Sequence, residues 1–406
     1  MLAIGIFTMF GFITILGFIG NYIFKKTGVP DILILLGLGL LLGPIFHVID
    51  PSSLQGFSQI FSSLALMIIL FEGGLNLNLY KVLRESSRAI LLAVLSVTTS
   101  MILTSLFAMY FLEWGLLPGL LLGVMVGVSS SSVVIPLIRK VETSGKVVTL
   151  LSLESAFTDA LTVIIGITLL QLIAYPTNNG LYSVTHGIAS EFSIGAMLGL
   201  LIGVIWLKIL KVVENEPYKH ILTLGVVFLL FSLVESLGGN GAISSLMFGL
   251  VLGNARTISN MIKSKDKMKT ERAMKEFHSE ISFLVRTFFF VYLGIIVVFA
   301  DFYLLFLSVL LSSLLLIGRV LSTYLATAKD NILTKNRNLI SVMFPRGLAA
   351  AVLSQLPAVY GIKNAGFYPD IVLTVITNTL IICTIGLFII SSTNKKMRKK
   401  DGKSKK

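Results

Sequence analysis

A chain of 406 residues with a mean hydropathy of +0.91 and 13% charged residues has too little polar surface for a soluble protein of its length. Its near-continuous apolar runs, rather than alternating ones, exclude an outer-membrane barrel and leave an all-α polytopic membrane protein. A net charge of +13 would suggest nucleic acid in a soluble domain. Here the basic residues gather in short loops between apolar runs, where they set orientation in the bilayer, so no nucleic-acid partner is expected.

At roughly 20 apolar residues per crossing, the runs give about thirteen transmembrane helices. Their limits are 3–24, 31–49, 57–74, 88–111, 116–138, 147–174, 190–211, 219–237, 241–258, 281–299, 302–325, 338–359 and 367–391. Span one lacks a basic region before it and reads as a retained helix rather than a cleaved signal. Lys25 and Lys26 follow span one, and Lys81, Arg84 and Arg88 follow span three. Arg139, Lys140 and Lys146 follow span five, while Lys208, Lys211 and Lys219 flank the turn after span seven. The loop 256–272 and the tail from Asn394 are strongly basic, and the alternate loops hold little besides Lys363. By the positive-inside rule the tail is cytoplasmic, and an odd count puts the N-terminus outside. The expected location is a plasma membrane, crossed many times.

Spans one to six then begin outside and spans eight to thirteen begin inside. Two halves of opposite orientation make an inverted repeat, inferred from topology rather than from internal sequence identity. Two spans carry matching interruptions. Span five contains Gly127-Val-Ser-Ser-Ser-Ser-Val-Val-Ile-Pro136, with Ser130 and Ser131 in the polar run. Span twelve contains Phe344-Pro345-Arg346-Gly347-Leu348. Proline cannot donate to the helix ladder and glycine loosens it. A single interruption reads as a kink; two at corresponding places point to a transport site.

Between them in sequence comes span six, with Glu154 and Asp159. Acidic groups at that depth are costly, about 2.5–3.5 kcal/mol on insertion scales, and mark ion or proton pathways. At 3.6 residues per turn they lie roughly 140° and about 7.5 Å apart, so they face different walls. Ser155 and Thr162 share the Asp159 stripe, and Thr158 lies with Glu154. Asp159 with neighbouring hydroxyls suits a small hard cation. Glu154 needs a cationic partner to stay charged; Arg319 in span eleven, Arg346 at the interruption and Arg286 in span ten are the candidates. A carboxylate of this kind holds either a proton or a monovalent cation, the two competing for one charge. If only loaded forms change sides, exchange proceeds without ATP, in keeping with the lack of a phosphate-binding loop.

At these residues the chain resembles the monovalent cation/proton antiporter superfamily, in its sodium/proton exchanger branch. The resemblance is carried by Phe71-Glu-Gly-Gly-Leu75, Glu154-Ser-Ala-Phe-Thr-Asp159, Gly239-Asn-Gly-Ala through Gly249-Leu-Val-Leu-Gly-Asn254, Phe283 through Gly294, Gly318-Arg319 and Pro345-Arg-Gly-Leu-Ala-Ala-Ala351. It implies two broken, crossing helices at the centre of a mobile core made of 88–175 and 301–392. It also implies a homodimeric scaffold made of 1–87 and 176–300, with 393–406 as a short basic tail. Asp159 would carry the ion or proton, helped by Ser155 and by carbonyls near Ser130, and Glu72 would reach the site through water. Glu154 and Arg319 would form a structural ion pair, and transport would be an electroneutral, elevator-like exchange of Na⁺ or Li⁺ for H⁺. Such exchange serves pH homeostasis.

The pattern departs from the family in two places. Thr158 stands where Asn or Asp usually precedes the key aspartate. Ser130-Ser131-Ser132 stands where the family has Thr-Asp-Pro, leaving one charge fewer. K⁺/H⁺ exchange is therefore the alternative within transporters; an ion channel or a non-transporting ion sensor is the alternative of another class. One cysteine, Cys383, and four scattered histidines provide no disulfide and no resident metal site. No cofactor is expected, and the only metal at Asp159 would be the transported ion.

Overall fold

The structure is a computed structural model that describes residues 2–50, 54–77, 87–138, 141, 143–174, 180–261, 272–296 and 302–403. The orientation signals at Lys81, Arg84, Arg139 and Lys140, and those in 262–271, lie outside the described residues. The described chain is helical, without strands. Eight helices are long and apolar enough to cross a membrane by length and composition, and five further apolar segments are shorter.

The helices in order are α1 (Leu2–Thr27), α2 (Asp31–Leu40, continued by a π-helical turn Leu41–Ile45), α3 (Gln55–Asn76), α4 (Ser87–Phe111), α5 (Leu116–Met125) and α6 (Ser131–Ile138). Then come α7 (Gly145–Ala174), α8 (Gly180–Val212), α9 (Lys219–Ser236), α10 (Gly241–Gly253), α11 (Ala255–Met261) and α12 (Arg272–Ile296). The last are α13 (Phe302–Ala326), α14 (Asn331–Lys335), α15 (Arg337–Val342), α16 (Leu348–Leu353), α17 (Leu356–Val359) and α18 (Phe367–Lys403).

The chain forms two compact units. One takes Met1–Pro51, Ser86–Leu169 and Phe290–Lys406; the other takes Ser52–Glu85 and Leu170–Phe289. Residues 1–51 cluster with the first unit, whereas the sequence grouped them with the scaffold. In the first unit, α4 packs on α5 and α13, and α13 packs on α15 and α18. Both interrupted segments belong to this unit. In the second unit, α10 is central, packed by α3, α8 and α9. Glycine makes that approach possible. A Cβ at Gly249 would press on the Phe71 carbonyl of α3, and one at Gly74 would press on Leu246 O of α10. Small residues let helix backbones meet this closely in a bilayer. The start of α10 is satisfied by side chains: Ile243 N–H donates to Asn240 Oδ1 at 3.0 Å, and Gly241 N–H donates to Glu235 Oε1 at 2.8 Å. Both are orphan donors of a helix N-terminus.

Span five is not one helix. α5 ends at Met125, residues 126–130 are non-helical, and α6 begins at Ser131. Span twelve breaks likewise, with α15 ending at Val342, 343–347 non-helical and α16 starting at Leu348. Pro345, Arg346 and Gly347 thus lie in a break, but Pro136 does not: it sits inside α6, which corrects its reading as a helix-break residue. In the second turn of a helix, proline forgoes a single ladder bond, here to Ser132 O, and the helix survives. The unwinding comes from the glycine and serines ahead of it.

Candidate site at the crossing of the two breaks

The site is assembled within the first unit from α7 and the two breaks. Asp159 sits mid-helix on α7 and keeps part of its surface accessible. Its Oδ2 accepts a hydrogen bond from Ser131 Oγ at 2.8 Å, and the Ser131 backbone is a further partner. Ser131 opens α6, so the carboxylate lies at the N-terminus of a half-helix. Unpaired N–H groups and the helix dipole favour negative charge there.

The residue before it braces the break. Thr158 Oγ1 accepts the Ser129 N–H at 3.1 Å and has Ser155 O at 3.0 Å and Ser129 O at 3.3 Å as acceptors. One hydroxyl both accepts and donates, so Thr158 ties α7 to the non-helical segment without adding charge. Ser155 is buried and its hydroxyl donates to Ser152 O at 3.2 Å. Thr162 Oγ1 donates to Thr158 O at 2.6 Å. These two hydroxyls of the polar stripe are thus directed at their own helix.

The breaks meet through their backbones. Ser130 N–H donates to Pro345 O at 2.8 Å. Ser130 Oγ lies 3.1 Å from Ser132 Oγ, and a Cβ at Gly347 would collide with the Ser130 side chain. Gly347 is therefore required by a close approach rather than by its dihedral angles.

Two buried arginines complete the core. Arg319 faces Glu154 in a forked pair, Nη1 to Oε1 at 2.9 Å and Nη2 to Oε2 at 3.3 Å, with both side chains essentially inaccessible. Arg319 also donates to Ser96 Oγ at 2.9 Å and to Met343 O at 2.9 Å, at the end of α15. Arg346 donates from Nη1 to Gly127 O at 3.0 Å and Val128 O at 2.9 Å, just past the end of α5. Its own N–H bonds Thr379 Oγ1 at 3.2 Å. Each half-helix C-terminus, the negative end of its dipole, thus holds a guanidinium.

Of the three arginines open to Glu154 on sequence, the structure pairs it with Arg319. Arg346 serves the break, and Arg286 belongs to the second unit. Glu72 is also in the second unit, partly accessible, with Ser279 and Ser282 nearby and within the field of Arg286. Sequence reasoning missed Ser96, Ser129 and Thr379. Their only signal is a hydroxyl inside an apolar run, which many spans share.

The sequence and the fold are both matched by known proteins. The family model described as "Sodium/hydrogen exchanger, transmembrane" matches residues 11–392. "Na(+)/H(+) antiporter 1" of Methanocaldococcus jannaschii is 26% identical over 95% of this chain and 90% of its own length. "K(+)/H(+) antiporter NhaP2" of a Shewanella species is 25% identical over 88% of this chain and 61% of its own length. Among solved structures, the sodium proton antiporter MjNhaP1 from M. jannaschii at pH 8 superposes with a TM-score of 0.76 at 23% identity, covering 97% of each chain. With a carboxylate at the junction of two broken helices and a family match over nearly its whole length, the chain belongs to the sodium/hydrogen exchanger transmembrane family.

Proposed function

We propose that this protein exchanges Na⁺ or Li⁺ for H⁺, with Asp159 as the carboxylate that both ions share. The observation that carries the reading is the position of Asp159: partly accessible, unpaired with any arginine among the described residues, and held by Ser131 at a half-helix N-terminus. A carboxylate locked in an ion pair would have no reason to load and unload. Here the permanent pair is made by Glu154 instead, about 7.5 Å along α7 and on another wall of it.

In this reading thirteen spans form two inverted repeats, with the N-terminus outside and the C-terminus cytoplasmic in a plasma membrane. Spans four to six and eleven to thirteen move as an elevator against a homodimeric scaffold. Ser130, Ser131, Ser155 and Thr158 shape the ion site, Glu72 supplies a solvated charge on the approach, and Glu154–Arg319 holds the moving core together. Similarity to proteins named K⁺/H⁺ antiporters favours K⁺ as the second reading for the cation.

The test is collapse of a preformed pH gradient in everted vesicles on addition of NaCl, LiCl or KCl. Asp159→Asn should abolish the collapse while leaving the thermal unfolding of the detergent-solubilised protein intact. Wild-type rates in that variant would reject Asp159 as the carrier.

A further inference from the structure

We propose that Arg346 is a specificity-determining residue. It is a resident cation on the backbone carbonyls of the broken span, so the transported alkali ion binds partly hydrated and Na⁺ and K⁺ are weakly distinguished. The inference rests on the antiporter reading above and concerns the ligands of the same site.

Broken helices in transporters offer two things to an ion: carbonyls at the C-terminal end of one half-helix and side chains near the N-terminal end of the other. Selectivity among alkali ions comes from the number and field strength of such fixed oxygens, which replace the hydration shell. In this chain the first set is occupied. Arg346 Nη1 takes both Gly127 O and Val128 O. Arg346 is 2% exposed, and no carboxylate pairs with it among the described residues. Those carbonyls are what holds its charge. The next carbonyl but one, Ser130 O, accepts from Val133 N–H at 3.2 Å and Val134 N–H at 2.9 Å as the first turn of α6. Ser129 O shares the single Thr158 hydroxyl proton with Ser155 O, at 3.3 Å against 3.0 Å. At the other break, Arg319 likewise occupies Met343 O.

Beside Asp159, the structure shows the hydroxyl of Ser131. A carboxylate and one hydroxyl fill only part of a six-oxygen shell, and water supplies the rest. A hydrated ion presents much the same surface whichever alkali metal lies inside. The like charge of Arg346 also opposes binding of any cation nearby, without regard to ion size.

The experiment measures apparent KM for LiCl, NaCl, KCl and RbCl in the vesicle assay at one pH, for the wild type and for Arg346→Gln and Arg346→Lys. The wild-type values for Na⁺ and K⁺ should agree within about tenfold, a difference of about 1.4 kcal/mol in binding. A wider gap overturns the proposal, and needs no variant to do so. Arg346→Gln frees at least one carbonyl and should move the Na⁺ to K⁺ ratio by about threefold or more toward the smaller ion. Arg346→Lys retains a cation and should keep the wild-type ratio. A residue that only supports the fold would slow all four cations in common proportion, and an unchanged ratio in an active Arg346→Gln protein also overturns the proposal. Exchange with none of the cations rejects the antiporter reading itself, a result distinct from steep discrimination.

Discussion

At the scale of single residues, the chain uses its few buried charges in different ways. Glu154 and Arg319 are both desolvated, and their fork pairs both carboxylate oxygens with the two terminal guanidinium nitrogens. Such pairs add little net stability over apolar packing, but removing one member strands the other. Glu154→Ala should therefore destabilise the folded protein by about 3–5 kcal/mol, seen as a large fall in the unfolding temperature in detergent. The double variant Glu154→Ala with Arg319→Met should recover much of that loss. If the single variant unfolds like the wild type, the pair is not the brace described here. This scale is also where the sequence was least explicit. Periodicity separated Glu154 from Asp159 by rotation about α7, yet it left three arginines open, because adjacency between distant helices is not written in local spacing. Nor could it show that Ser131, rather than Ser155, would bond the carboxylate. Ser131 starts a helix after a non-helical segment, and helical geometry cannot be carried across such a segment.

Among elements, the two breaks were legible because proline and glycine within apolar runs disturb a helix wherever they occur. Their limits were less so: Pro136 drew attention to the wrong end of the polar run, while the unwound residues are 126–130. A second joint had no sequence signature. Asp330 precedes α14 and accepts from Ile332 N–H and Leu333 N–H, each at 3.2 Å. It also receives Lys146 Nζ from the start of α7 and lies 3.8 Å from Arg88 Nε of α4. Arg88 donates separately to Ala328 O at 2.8 Å. One carboxylate thus ties three elements at the basic edge of the first unit. The Lys146 hydrogen bond, followed by the α14 backbone, holds the Asp330 carboxyl below the usual carboxylate range. A carboxyl with a depressed folded value stabilises above its unfolded value and loses that contribution as pH falls through the folded one. Asp330→Asn keeps the cap and removes the charge. The gap in unfolding temperature between wild type and variant should be constant above about pH 5 and shrink as pH drops below about 4, near the ordinary aspartate value. A gap that does not change with pH would assign Asp330 to capping alone.

For the molecule as a whole, hydropathy carried the all-helical membrane architecture, since a bilayer requires every buried backbone group to be satisfied within helices. The family followed from short motifs in a fixed order, and the match over residues 11–392 bears it out. The clustering of 1–51 with the first unit was not legible, because the partner of an apolar face is set by tertiary packing. In the proposed cycle each passage carries one positive charge, either a proton or an alkali ion, on the same carboxylate. Exchange of one for one moves no net charge. Imposing a potential with K⁺ and valinomycin should therefore leave the Na⁺-driven rate unchanged, and a clear voltage dependence would rule out that stoichiometry.

The hydrogen bond from Ser130 to Pro345 is made entirely by main-chain atoms. No replacement of either side chain deletes it, apart from proline at 130, so mutation can vary the side chains around Asp159 while the pin between the two breaks stays in place. Side-chain chemistry and the joint that holds the two breaks together are thereby assigned to different atoms of the same residues.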